Sequence, residues 1–138
     1  MRKVFIIILL MVLLVFLFPS SDVSAEEDII WDPSSTGMSG GSVRVLVADP
    51  QTPSTLYAGT YGGGVFKSVD GGDSWTAINT GLTNLHICTL AIDPKTPSTL
   101  YAGTWGGGVF KSDGGSDSWK PINTGLTTTQ IYTLAIDP

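Results

Sequence analysis

Only a few side chains in this sequence have the type and spacing that chemistry requires. Cleavage of a glycosidic bond would need two carboxyl groups about 5–10 Å apart across a cleft. Asp49, Asp93 and Asp137 recur at a constant step, each directly before a proline. A catalytic pair would hardly be copied unchanged along a chain, whereas Asp-Pro starts a turn wherever it occurs. These three therefore read as turn residues, and no catalytic residue is assigned. His86 and Cys88 are the sole histidine and cysteine. Two residues apart on a strand they share a face, but a zinc site uses roughly three or four protein ligands. They read as packing residues, and neither a metal nor another cofactor is expected. Tyr61 and Trp105 differ from these, because each stands immediately before a triple glycine. An aromatic ring on such a turn is able to stack on a sugar or to anchor a protein partner.

What places these residues is a 44-residue internal repeat. Residues 51–94 and 95–138 agree at 33 of 44 aligned positions, and Trp31, Trp75 and Trp119 keep the same step. TPSTLYAGT at 52–60 returns at 96–104, and GGGVFKS at 62–68 returns at 106–112. Each period holds four short runs of strand character and none with helical periodicity. The innermost runs, 43–48, 87–92 and 131–136, are apolar on both faces, as suits a strand between neighbouring sheets. Second strands are expected at 55–60 and 99–104, third strands at 65–68 and 109–112, and fourth strands at 74–79 and 118–123.

Four antiparallel strands every 40–50 residues or so predict the blades of an all-β propeller. An outer strand and loop of a preceding repeat would occupy 29–42, one blade 43–86, a second 87–130, and the first strand of a third 131–138. That is two complete blades plus one strand at each end. A ring takes about four to eight blades, so residues 26–138 are expected to be a partial propeller, a piece of a ring or a chain that self-associates. In this architecture the turn between second and third strands shares a face with the start of the inner strand. Tyr61 and Trp105 should therefore join His86 and the period-equivalent Arg44, Cys88 and Tyr132 on one candidate binding face.

Residues 1–25 are set aside as an export leader. Arg2 and Lys3 precede an apolar run over 4–18, the length of a signal-peptide core, and Pro19 ends it. Val23-Ser24-Ala25 offers small residues for cleavage near Ala25. A spanning helix would want about 20 apolar residues, so export to the periplasm or medium is expected, with no stable membrane insertion after cleavage. Beyond the leader, Arg44, Lys67, Lys95, Lys111 and Lys120 are the only basic residues against eleven carboxylates. That balance argues against a nucleic-acid partner, which requires a basic face. With one cysteine there is no internal disulfide.

Residues 68–75 read Ser68-Val69-Asp70-Gly71-Gly72-Asp73-Ser74-Trp75. This Ser-x-Asp-x-Gly-x-x-Trp pattern resembles the Asp-box, or BNR, repeat found in sialidases, sortilin-type ectodomains, xyloglucanase-type glycoside hydrolases and photosystem II assembly factors. The resemblance implies that Ser68, Asp70, Gly72 and Trp75 clamp the turn between third and fourth strands, opposite the usual binding cleft. In the second copy Ser112 and Trp119 are kept, but Asp-Gly-Gly has slid one position toward the serine. A repacked turn with a weaker clamp is predicted there. Sialidases also use an arginine triad, and Arg44 is the sole arginine beyond the leader. The expected function is that of an exported, non-catalytic module recognising protein or carbohydrate. The alternative is part of a xyloglucanase-like hydrolase whose catalytic carboxylates lie in other blades. A photosystem-assembly role finds little support in an exported chain without a basic patch.

Overall fold

In the computed structural model, which describes residues 35–113 and 118–137, two four-stranded antiparallel sheets follow one another along an all-β chain. The first is β1 (Gly41–Ala48), β2 (Leu56–Gly62), β3 (Gly64–Ser68) and β4 (Thr76–Ala77), paired in sequential order. The second repeats it with β5 (Ile87–Ile92), β6 (Leu100–Thr104), β7 (Gly108–Ser112) and β8 (Trp119–Pro121). Each sheet is the meander of a propeller blade. Among the described residues no helix is long and apolar enough to cross a membrane. The expected export leader, Trp31 and the rest of the outer strand expected before residue 35 lie outside the described residues.

Short polar side chains close the turns. The Asp49 carboxylate accepts the N–H groups of Gln51 (2.8 Å) and Thr52 (3.2 Å). Asp93 does the same for Lys95 (2.9 Å) and Thr96 (3.1 Å). Both Asp-Pro aspartates are thus spent on their own backbone. At the β2–β3 hairpin the Thr60 hydroxyl accepts from the Gly63 N–H (3.0 Å) and donates to the Gly64 carbonyl (3.1 Å). Thr104 repeats that pattern with Gly107 and Gly108.

The outer strands are shorter than the sequence suggests, 76–77 and 119–121 against the expected 74–79 and 118–123. Asn79 supplies the reason in the first blade. Its Oδ1 accepts the Val65 N–H (2.7 Å) and its Nδ2 donates to the Gly63 carbonyl (2.8 Å), so a side chain stands in for the ladder. Asn123 does this for Val109 and Gly107, and Pro121 has no N–H to give. The run 131–136, expected as a strand, forms no ladder among the described residues. Its first residue is nevertheless held, with the Ile131 N–H donating to the Thr104 carbonyl (3.0 Å).

Successive strand residues face opposite sides of a sheet, and here the two sides differ in kind. Tyr57, Val65 and Ile78 of the first blade join Ile87, Leu90, Ala102, Phe110 and Trp119 of the second in one buried cluster. On the other side of the first sheet, Ala58, Phe66 and Trp75 form a smaller cluster with Met38 and Leu56. The joint between blades is polar as well as apolar. The Trp119 indole N–H donates to the Ile78 carbonyl (2.6 Å), and its backbone N–H donates to Thr80 (2.8 Å). One repeat earlier, the Trp75 N–H donates to the Thr36 carbonyl (2.8 Å).

β1 departs from the two-sided apolar reading. Val43 and Leu46 are 52% and 57% exposed, whereas their equivalents Ile87 and Leu90 are buried. β5 is buried because the first sheet covers it, and no sheet among the described residues covers β1 in that way.

Both inner strands also carry a bulge. The register passes from Val43↔Thr60 to Val45↔Gly59, and from Ile87↔Thr104 to Thr89↔Gly103. Arg44 and Cys88 are the extra residues. A bulge bends its strand and re-aims the side chain it carries. Opposite the first one, a Cβ on Gly59 would come within 2.7 Å of Val45 and 2.6 Å of Ile87, so only a glycine lets the next blade close in.

Candidate functional site

The bulges and the β2–β3 and β6–β7 turns converge on one face. Arg44, Tyr61, Cys88, Trp105 and Tyr132 line an open groove of about 430 Å³ there. Tyr61 bridges to His86, the residue just before β5, and their rings lie 4.4 Å apart at a 53° tilt. The Arg44 guanidinium sits 5.3 Å from the centre of the Tyr61 ring. A guanidinium and an imidazole therefore both contact one phenol. In the next repeat Trp105 bridges to Gln130 and meets Tyr132 edge to face, with ring centres 5.3 Å apart at 89°.

Asn84 ties the two aromatic centres together. Its Oδ1 accepts the His86 N–H (2.9 Å) and its Nδ2 donates to the Trp105 carbonyl (3.0 Å). Of the six residues expected on the face, Arg44, Tyr61, Cys88, Trp105 and Tyr132 line the groove, and His86 joins them through its contact with Tyr61. Tyr61 and Trp105 remain 38% and 41% exposed, so neither is sealed from solvent. Cys88 is half-buried, its thiol directed at the His86 carbonyl (3.9 Å). Among the described residues no carboxylate lines the groove. Sequence reasoning missed the bulges that display Arg44 and Cys88, and it gave Asn84 no bridging role. Its signal was present in the exchange of Asn84 for Thr128 between repeats.

The Ser68–Trp75 turn joins β3 to β4, and its parts act on one another. The Ser68 hydroxyl donates to Asp70 Oδ1 (2.6 Å) and accepts the Gly72 N–H (2.9 Å). Ser74 gives both its N–H (3.0 Å) and its hydroxyl to the same carboxylate. The amide that Asp70 captures is thus four residues on, further than a simple aspartate turn would reach. Trp75 closes the turn into the smaller cluster. In the second copy the displaced Asp113 forms an ion pair with Lys111 (2.8 Å), and Trp119 is buried. Residues 114–117 of that turn, on which the expected repacking falls, lie outside the described residues.

These bonds make the first turn sensitive to acid. The Ser68 hydroxyl, followed by Ser74, holds the Asp70 carboxyl well below the usual carboxylate range. An unfolded aspartate titrates at about 3.9, so below that pH the unfolded chain binds more protons than the folded one. The stabilisation is full above about pH 4 and is lost as pH falls toward the folded value. Asp70→Asn should therefore flatten the acid limb of a melting-temperature profile taken from pH 7 to 2. Parallel profiles for variant and parent would contradict this account of the turn.

No protein-family model matches the sequence, and no curated protein matches it. Solved structures do match. An ancestral GH74 enzyme superposes with a TM-score of 0.56 at 33% identity, over 68% of this chain and 12% of its own. The GH74 xyloglucanase from Xanthomonas campestris gives 0.50 at 19% identity, over 64% of this chain and 16% of its own, a likeness of fold alone. The chain spans a small part of either enzyme. Its paired four-stranded sheets are a structural match to part of the β-propeller domains of GH74 xyloglucanases.

Proposed function

We propose that the groove is a carbohydrate-recognition surface without chemistry of its own, carried on an exported Asp-box propeller. The observation that carries this reading is the lining itself: three aromatic rings and one cation, with no carboxylate among them. Flat rings on a stiff turn present large contact area at low entropic cost, and hydrolysis would need a carboxyl pair that the described residues do not bring to this groove. The leader-like residues 1–25 support an extracytoplasmic place of work.

The test is affinity electrophoresis through gels containing xyloglucan or polygalacturonate. At least one polysaccharide should retard the protein. Trp105→Ala should weaken that binding by about three- to tenfold, as expected for one lost stacking contact. Retardation unchanged by Trp105→Ala and Tyr61→Ala together would end the proposal.

A second reading follows from the 33% identity to an ancestral GH74 enzyme. In it these blades are part of a polysaccharide hydrolase whose acid and base reside on other blades. The longest reading frame containing this sequence would then release reducing ends from xyloglucan, and residues 26–138 alone would not.

A further inference from the structure

We infer that the Arg44–Tyr61 end of the groove is a subsite for a carboxylated sugar, a uronic acid unit within an acidic polysaccharide. The inference rests on the carbohydrate reading of this face and adds the class of ligand. Three observations support it.

The first is where the cation stands. Arg44 occupies the bulge of β1, the place that Cys88 fills in β5 and Tyr132 holds one period later. The repeat therefore displays one side chain per blade at this spot and varies its chemistry, and only the first copy offers a charge.

The second is that no described carboxylate pairs with this charge. Among the described residues no carboxylate lies within ion-pair distance of Arg44, and the one ion pair found there is Lys111 with Asp113. That is unexpected in a chain of net charge −5, where acidic groups outnumber basic ones. Arg44 instead rests against the Tyr61 ring, whose other contact is His86. A guanidinium steadied on an aromatic ring keeps its planar fork of N–H donors free for a ligand.

The third is the match in chemistry. A guanidinium takes a carboxylate through two parallel charge-assisted hydrogen bonds. The exposed part of Tyr61 beside it offers apolar contact to the same pyranose. Further along, the Trp105–Tyr132 pair carries no charge and suits a neutral or esterified neighbour. An acidic peptide would satisfy Arg44 but would leave Trp105 without a planar partner. The overall negative charge also repels any polyanion, so a preference for one has to arise locally.

The experiment compares four soluble probes on the full chain by titration calorimetry: oligogalacturonate, its methyl ester, a xyloglucan oligosaccharide and poly-glutamate. Oligogalacturonate should bind about fivefold more tightly than its ester, and added salt should erode the difference. Arg44→Gln should bring the acid down to the level of the ester, and Arg44→Lys should restore part of the gap. Equal binding of acid and ester by the parent, or an unchanged gap in Arg44→Gln, would overturn the subsite while leaving the groove as a sugar surface. Poly-glutamate binding as tightly as oligogalacturonate, with no loss in Trp105→Ala, would overturn it in favour of a peptide ligand. Binding of neither sugar acid, ester nor xyloglucan would remove the carbohydrate reading itself.

Discussion

Gly81→Ala should destabilise the protein by about 3 kcal/mol or more, and Gly125→Ala by only about 1–2 kcal/mol. The two glycines occupy the same place in successive repeats and have nearly the same backbone, with φ of +87° and +86°. The cost of forcing an L-residue into that conformation, about 1–2 kcal/mol, is therefore common to both. Their surroundings differ. A Cβ on Gly81 would lie 2.2 Å from the Trp119 carbonyl oxygen, a backbone atom with little freedom to yield, whereas one on Gly125 meets none of the described residues within 4 Å. Relieving the clash pushes Trp119 away and stretches its N–H bond to Thr80, now 2.8 Å long. A backbone hydrogen bond contributes about 1 kcal/mol net, and loosened packing adds to that loss. Urea denaturation of both variants measures the gap. Coincident midpoints would mean that the joint between the blades does not depend on this close approach.

Trp119→Ala should cost about 3–5 kcal/mol, the range for removing a large buried aromatic. Trp119 is 3% exposed and packs among residues of both blades, so the cavity would open at the interface and not within one sheet. Trp119→Phe separates the indole bond from the bulk. It keeps most of the ring but leaves the Ile78 carbonyl without its 2.6 Å donor, and should cost about 1–3 kcal/mol. Trp105→Ala is the contrast, since a part-exposed ring away from the core, packed only edge to face on Tyr132, should change stability by about 0.5–1.5 kcal/mol. Chemical denaturation of the three variants orders them. A Trp119→Phe protein as stable as the parent would show that water replaces the indole at Ile78 without penalty.

Strand order, the glycine turns and the grouping of Arg44, Tyr61, His86, Trp105 and Tyr132 were all legible in the sequence. Each follows from a local pattern repeated at a fixed period. Asp49 and Asp93 were likewise readable, because a carboxylate reaching two or three residues along its own chain depends on nothing distant. The bulges were not legible. Val43-Arg44-Val45-Leu46 is apolar on both sides of Arg44, so an inserted residue leaves no break in alternation to detect. The short outer strands were hidden for another reason. The side chains of Asn79 and Asn123 compete with the ladder, and sequence does not reveal which partner an amide will choose. The Trp119 indole bond to Ile78 spans 41 positions and exists only once the blades have met. Exposure of β1 depends equally on what lies beside it, which a strand's own residues do not encode.

The bulge also bears on how such a protein changes over generations. Arginine, cysteine and tyrosine hold the same spot in three successive periods, while 33 of the 44 positions compared between the two full copies are unchanged. A side chain set outside the regular pleat is excused from the packing rules that freeze its neighbours. What the face offers to a ligand and what keeps the blades together are therefore inherited separately. A lineage built on this repeat is free to try new ligands one blade at a time, with the fold as an inheritance it does not have to stake.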